Sequence, residues 1–166
     1  MGHRALHAVP VGGGRYDCVR THWGALAVFE ATFPEPPDSR SPVAAGVDAV
    51  GVLRALRESD EALFVHGEDT AYLVRSLAVP TIGEDGSREN ARNVLVPVAD
   101  GDAARRLDGD ITAAREILGD AVDAGLLTRS LADGYLRAFV TRHPDAGAVV
   151  PRPAVRPGES CGKPPP

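Results

Sequence analysis

The apolar residues of the first 23 positions predict a β-hairpin. Two extended runs, at about 3–10 and 15–22, flank three consecutive glycines at 12–14. Glycine reaches positive φ without steric cost, so such a cluster between extended runs is typical of a tight turn. A three-glycine turn would place His7 opposite Val19. A phosphate-binding loop needs glycines at wider spacing that lead into a helix, and no helical pattern follows here.

The next segment predicts a loop and then a short helix. Residues 34–42 contain four prolines, which fix φ and remove backbone donors, so this segment is typical of a spacer. A helix is expected over about 47–58, where Val50 and Leu53 continue a three-residue apolar spacing.

A second hairpin is predicted from the runs 62–66 and 71–79, which enclose a polar turn. The polar residues 81–92 are expected to form a loop. A short fifth strand follows at 94–96, and Pro97 either ends that strand or places it at a sheet edge, where it could pair with another subunit.

The last third of the chain has the i, i+3, i+4 rhythm of helices over about 104–122. Gly109 and Asp110 are expected to split this stretch or to set its true start. Gly125 fits the position after a helix end, and Thr128 fits the N-cap of a second helix.

The second helix is expected to end before Pro144 and to pack through one apolar face. The residues of that face are Leu131, Tyr135, Ala138 and Phe139. Basic residues also occur along it, at Arg129, Arg137, Arg142 and His143. A DNA-recognition helix needs reading residues in its first turns, and only Arg129 qualifies, so a plain αα-hairpin packed on the sheet is favoured.

Strands followed by helices, without strand–helix alternation, predict an α+β fold. We expect an antiparallel sheet of about five strands, formed by two hairpins and one strand. A C-terminal helix pair and a short internal helix would pack on one face of it. The expected organisation is one globular domain over 1–150 and a disordered proline-rich tail over 151–166.

Composition excludes several classes of protein. Hydrophobic residues make up 43% of the 166 positions, which is typical of a globular chain. The net charge of −5 argues against nucleic-acid or anionic-membrane binding. The chain has no apolar run of membrane-spanning length, no signal peptide is expected, and its two cysteines, Cys18 and Cys161, are expected to be free thiols. The expected location is therefore the cytoplasm.

Candidate catalytic residues come from the first hairpin, which holds three of the five histidines. His7 and Asp17 would share a sheet face diagonally, and His22 lies at the strand end. A His–Asp pair of this kind can orient a general base. His3 and His7 would lie about 13 Å apart on a strand, too far to share a metal ion. No metal and no cofactor are therefore expected.

Candidate binding residues are Arg4 and Trp23. Trp23 offers a large face with a polar N–H and is either a binding platform or, as favoured here, the anchor that closes the sheet over the helices. Arg4 and Arg20 could bind an anion, although pairing with Asp17 or Glu30, or solvation, is favoured. Cys18 is expected to be a small buried apolar residue.

Two stretches of the chain resemble an uncharacterised haloarchaeal family of small proteins. The first combines Met-Gly-His-Arg-Ala-Leu at 1–6, the glycine turn with Tyr16 and Asp17, and Thr-His-Trp-Gly-Ala-Leu at 21–26. The second, at 119–128 and 135–137, is similar to that family's C-terminal helix pair. This chain has only a modest acidic excess and carries extra prolines. The resemblance implies an archaeal cytoplasmic setting, and the family's function is unknown.

These observations favour a small non-enzymatic binding or regulatory domain, with a protein as the favoured partner. The first alternative is a small hydrolase or metal-assisted enzyme that uses His7, Asp17 and His22. The second is DNA binding through the C-terminal helix pair. No membrane association is expected.

Overall fold

The computed structural model describes residues 3–38, 41–80 and 93–151. The strands of this part of the chain are β1 Arg4–Gly12, β2 Arg15–Thr21, β3 Ala44–Val47, β4 Asp60–Val65, β5 Thr70–Ser76, β6 Asn93–Val98 and β7 Val150–Pro151. The helices are α1 Ala49–Ala55, α2 Gly101–Asp123 and α3 Arg129–Arg142, together with a 3₁₀ helix at Gly24–Phe29. The predicted loop at 81–92, the predicted tail beyond Pro151 and Cys161 lie outside the described residues.

The described strands form one seven-stranded sheet in the order β3-β2-β1-β4-β5-β6-β7. The α+β class is confirmed, but the prediction of about five antiparallel strands is wrong. Strands β1 and β4 run parallel, while the other neighbouring pairs are antiparallel. The physical reason is visible in β1, where Ala5 to Ala8 are all buried, so that this strand lacks the alternation of a half-exposed antiparallel strand and lies in a part of the sheet that is covered on both faces.

The first hairpin is confirmed, and its central pairings are those expected of a three-glycine turn, with a shift of register between Pro10 and Gly12. His7 pairs with Val19, and Val9 pairs with Asp17. The turn glycines at 12, 13 and 14 all have positive φ, between 61° and 98°. Glycine adopts this backbone conformation at low cost, whereas most other residues are strained in it. The second hairpin, β4 and β5, is also confirmed.

The ends of the sheet differ from the sequence expectation. The two outermost strands, β3 and β7, are four and two residues long, which is too short for a periodic pattern to be recognised. Pro97 does not end β6, which continues to Val98, and β6 does not form an edge because β7 pairs with it. The Pro97 carbonyl instead accepts a hydrogen bond from Gly147 N–H at 2.9 Å.

Helices α2 and α3 pack with the 3₁₀ helix on one face of the sheet and bury the larger hydrophobic core. Members of this core from the sheet include Ala5, Ala62, Phe64, Leu73 and Val96, and those from the helices include Leu107, Ile111, Ala132, Leu136 and Val140. The predicted break in α2 is wrong, since the helix runs unbroken through Gly109 to Asp123. Gly109 is exposed, so its missing side chain removes no core contact.

The turn between α2 and α3 follows the sequence expectation, but the packed face of α3 does not. Gly125 has φ of 71° after the end of α2, and the Thr128 side chain accepts a hydrogen bond from Leu131 N–H as the N-cap of α3. The buried residues of α3 are Ala132, Leu136 and Val140. The prediction of the packed face is therefore wrong, because each buried residue lies one position after a residue of the predicted series. The predicted residues Leu131, Tyr135 and Phe139 are exposed. The expected αα-hairpin packed on the sheet is present.

The opposite face of the sheet carries α1 and a smaller core. Asp48 caps α1 by accepting a hydrogen bond from Gly51 N–H at 2.8 Å, and Val52 and Leu56 pack onto the sheet. Cys18 is buried in this core, as expected, and burial raises the pKa of its thiol to about 11. The helices therefore cover both faces of the sheet, rather than one. In the described ranges, no helix combines the length and the apolar character that crossing a membrane requires.

Candidate functional site

A chain of three polar side chains joins β1, β2 and the end of β4 inside the protein. His7 Nδ1 lies 3.0 Å from His66 Nε2, and His7 Nε2 lies 3.1 Å from the Thr21 hydroxyl oxygen. The two imidazole planes differ by 14° with their centroids 5.3 Å apart, which fits an edge-to-edge hydrogen bond between the rings. The parallel pairing of β1 with β4 creates this contact, because His66 N–H donates to the Ala8 carbonyl.

Aromatic side chains enclose the two histidines. The His7 ring stacks on Phe64 with centroids 5.0 Å apart, and Phe33 meets His66 edge-on at 5.2 Å. Gly24 closes the other end, since a Cβ there would come within 1.9 Å of the Thr21 hydroxyl oxygen and 3.2 Å of His7 Nε2. The glycine of the His-Trp-Gly stretch is therefore needed for close approach to this chain.

Burial keeps both rings neutral. His7 is 3% exposed, and desolvation, together with the neighbouring His66, lowers the pKa of His7 from 6.5 to about 4. Desolvation also lowers the pKa of His66, partly opposed by Asp69. A neutral imidazole has one N–H, so the chain can run with the protons directed either way along it.

We expect the free energy of unfolding to fall in mild acid because of His7. The unfolded chain binds a proton at this residue near pH 6.5, while the folded chain resists it down to about pH 4. The stabilisation is therefore complete above pH 6.5 and is lost as the pH falls toward 4, by about 2 kcal/mol between pH 7 and 5. Urea unfolding at the two pH values measures this loss.

The His7→Gln variant isolates that term. It removes the titrating ring, so its free energy of unfolding should change less between pH 7 and pH 5 than that of the wild type. The exposed His22→Gln is the matched control and should keep the wild-type dependence on pH. An unchanged pH dependence in His7→Gln would show that protonation of His7 is not linked to unfolding.

The three candidate catalytic residues do not converge through hydrogen bonds. His7 bonds to His66 and Thr21, whereas the Asp17 carboxylate accepts from Gly46 N–H at 2.8 Å, and His22 is exposed beyond the end of β2. A hydroxyl, an imidazole and a second imidazole in series can move a proton. His7, His66 and Thr21 line neither the cavity beside α1 nor the cavity beside the 3₁₀ helix. Their buried hydrogen bonds instead join three strands.

The candidate binding residues separate as well. Arg4 donates a hydrogen bond to the Ser59 hydroxyl at 3.0 Å. Trp23 is 65% exposed, so the favoured prediction that it anchors the sheet on the helices is wrong; its ring lies beside His3, with centroids 6.0 Å apart. Arg20 pairs with Asp60 rather than with Asp17 or Glu30.

A cavity of about 220 Å³ lies on the α1 face of the sheet, where the parallel strands β1 and β4 end. Its walls are mainly aliphatic and come from α1 and from six strands. The residues that line it are Ala8, Tyr16, Ala49, Val52, Leu53, Leu63, Val65, Glu68, Tyr72, Leu95 and Val150. We call it the α1 cavity. A second cavity, of about 170 Å³, lies beside the 3₁₀ helix, and its lining includes Asp100, whose carboxylate already caps α2.

Three of the residues that line the α1 cavity have polar side chains. Tyr16 lies on β2, Tyr72 on β5, and Glu68 in the turn between β4 and β5. Burial, and then the nearby Glu68 carboxylate and Tyr16 hydroxyl, raise the pKa of Tyr72. Tyr16, Tyr72 and Glu68 therefore line one cavity and influence one another electrostatically.

Sequence reasoning did not identify these three residues as a site. Each has an ordinary local explanation, two tyrosines on strands and one glutamate in a turn. The alternation of side chains along each strand assigns Tyr16 to one face of β2 and Tyr72 to one face of β5. Only the pairing and order of the strands show that these two faces belong to the same side of the sheet. Across the described residues, no group of three or more histidine, cysteine, aspartate or glutamate side chains is arranged to hold a metal ion.

Comparison with known proteins found no protein similar to this chain. No family model, no curated protein and no solved structure matches the chain. The class of the protein is therefore defined by its own fold, an α+β chain with a mixed seven-stranded sheet and a small aromatic and aliphatic cavity beside α1.

Proposed function

We propose that this chain is a small non-enzymatic binding domain and that the α1 cavity is its ligand site. The ligand is a small organic cation with an apolar body, such as an aryl- or alkylammonium compound. The observation that carries this proposal is the meeting of Tyr16, Tyr72 and Glu68 at one largely aliphatic cavity.

The shape of the cavity supports a small ligand. Pockets that enclose drug-sized molecules measure about 300–1,000 Å³. The α1 cavity is smaller, at about 220 Å³, and its floor consists of sheet residues such as Leu63 and Leu95. A floor of this kind favours the transfer of an apolar group from water by about 25 cal/mol per Å² of buried surface.

The polar part of the cavity supports a positive charge on the ligand. The faces of tyrosine rings carry negative potential and attract ammonium groups, by about 0.5–2 kcal/mol according to desolvation. The Glu68 carboxylate adds a full negative charge. An anionic ligand would be repelled by the Glu68 carboxylate. Charge complementarity therefore selects a cation over a neutral or anionic molecule of the same shape.

The test is a pair of NMR titrations of the full chain with phenethylammonium chloride and phenethyl alcohol, which differ mainly in the charged head group. We expect both to shift resonances of the α1 cavity, and the ammonium compound to bind about tenfold more tightly, a difference of about 1.4 kcal/mol. The Glu68→Gln variant should remove most of this preference. Glu116→Gln, at an exposed position on α2, is the matched control and should leave it unchanged.

Two results would overturn the proposal. One is equal affinity for the ammonium compound and the alcohol, which would remove the role of Glu68. The other is a set of shifted resonances confined to residues outside the α1 cavity. The Tyr72→Leu variant adds a second check, because it keeps an apolar wall while it removes an aromatic face, and it should weaken the ammonium compound more than the alcohol.

A further inference from the structure

Val65, at the end of β4, is an accessible part of the apolar floor of the α1 cavity. The other aliphatic floor residues of β1, β4 and β6 are at most 2% exposed, namely Ala8, Leu63 and Leu95. Val65 itself is only half-buried, although β4 is the central strand of the seven described. A ligand that enters the cavity therefore reaches the Val65 isopropyl group more readily than these three side chains.

The sheet register leaves Val65 with little competition for a ligand from its direct neighbours. On the β1 side it pairs with Ala8, which carries only a methyl group. On the β5 side it pairs with Thr70, whose hydroxyl donates to the Glu68 carbonyl at 3.3 Å and which does not line the cavity. Paired residues lie on the same face of a sheet, so the size of residue 65 sets the depth of the cavity at this point.

The charge of the site lies close to Val65 along the chain. Glu68 follows Val65 by three positions, in the turn between β4 and β5, and both residues line the cavity. Three residues span at most about 10 Å of chain. A ligand that contacts both the Val65 side chain and the Glu68 carboxylate therefore has its apolar body close to its charged nitrogen, and a linker of one or two methylene groups fits this separation.

We propose that Val65 determines the size of the apolar body that the α1 cavity accepts, and that the ligand is an arylalkylammonium compound with a single ring. This inference rests on the proposed binding of an organic cation in the same cavity. The volume of about 220 Å³ is below the range of about 300–1,000 Å³ that is typical of pockets for drug-sized molecules. One ring leaves room for the linker and the ammonium group, whereas two fused rings would overlap the Val65 side chain.

NMR titrations of the full chain with phenethylammonium and 2-(1-naphthyl)ethylammonium chloride test this assignment. The two compounds share the head group and the linker and differ by one fused ring. We expect the wild type to bind phenethylammonium about tenfold more tightly, because a single misfitting group in an apolar pocket changes affinity by about 10–200-fold. Val65→Ala removes two methyl groups from the floor and should raise the affinity for the naphthyl compound about tenfold.

Val65→Ile provides a second variant that keeps a β-branched side chain on the strand and adds one methyl group. It should fold like the wild type and bind phenethylammonium several-fold more weakly, because the cavity becomes shallower. Val11→Ala is the matched control, since Val11 is 53% exposed and does not line the cavity, and it should leave both affinities unchanged. Circular dichroism checks that every variant folds.

The role of Val65 would be overturned by an unchanged ratio of the two affinities in Val65→Ala, or by wild-type affinity for phenethylammonium in Val65→Ile. Equal affinity of the wild type for the two ammonium compounds would overturn the single-ring class. In both Val65 variants the preference for phenethylammonium over phenethyl alcohol should persist, because Glu68 is unchanged. Failure of the proposed function is therefore distinguishable, since the wild type would then show no preference for the charged compound.

Discussion

Replacing Phe64 by alanine is expected to lower the free energy of unfolding by about 3–5 kcal/mol. Phe64 is fully buried on β4, and its ring is held between His7 and Phe33, at centroid distances of 5.0 and 5.7 Å. Truncation removes the apolar contacts of the ring and leaves a cavity that the surrounding sheet and helices cannot fully close. It also removes the stacking surface of a buried histidine.

Chemical denaturation at pH 7 measures this effect, with Val11→Ala as the control. Val11 is 53% exposed near the end of β1, so its truncation should change the free energy of unfolding by less than about 0.5 kcal/mol. A loss below about 1 kcal/mol in Phe64→Ala would contradict the description of Phe64 as a fully buried member of the larger core.

Replacing Asp60 by alanine is expected to have an effect of similar size, about 3–5 kcal/mol, for an electrostatic reason. The Asp60 carboxylate is fully buried and accepts two hydrogen bonds from Arg20, at 2.8 and 2.9 Å, and one from Arg57 N–H. Arg20 also donates to the Ala55 carbonyl at 2.7 Å. The substitution would leave a largely buried guanidinium without its counter-charge.

The position of this ion pair adds to its effect. Strand β1 lies between β2, which carries Arg20, and β4, which begins at Asp60. The pair therefore crosses a central strand, and the bond to Ala55 ties the end of α1 to the same point. Urea unfolding should show that Arg20→Leu with Asp60→Leu is less damaging than Asp60→Ala alone, since the double variant buries no unpaired charge. A loss of stability in the double variant that equals the sum of the losses in Arg20→Leu and Asp60→Leu alone would contradict this account.

Local features of the fold were readable from the sequence. The glycines at 12–14 indicated the first turn, and Gly125 and Thr128 indicated the turn between α2 and α3. Each of these signals depends on the conformational preference of one residue or on a hydrogen bond to a near neighbour. Such preferences act within a few positions and need no knowledge of the rest of the chain.

Features that depend on distant parts of the chain were not readable. The parallel pairing of β1 with β4 joins segments more than fifty residues apart, and no local pattern states it. That pairing places His66 against His7 and positions Asp60 for Arg20, so the sequence indicated His7 and Arg20 without their partners. Trp23 was misassigned for a related reason, because residue type alone does not show which apolar residues the core leaves outside.

The outer face of α3 shows how a correct pattern can be assigned the wrong side. Two apolar series run along this helix, one of Ala132, Leu136 and Val140, and one of Leu131, Tyr135 and Phe139. Both series have the spacing of one helix face, and the prediction assigned the packed face to the second. The core accepted the smaller series, which lets α3 approach the sheet closely and leaves the larger side chains exposed.

The most direct test of the proposed function is to measure intermolecular nuclear Overhauser effects between bound phenethylammonium and the protein. Our account predicts contacts from the methylene protons beside the nitrogen to the rings of Tyr16 and Tyr72. It also predicts contacts from the phenyl protons to the methyl groups of Leu53 and Leu95. Contacts that fall instead on the exposed apolar residues of α3 or around Trp23, with none to the α1 cavity, would contradict the account.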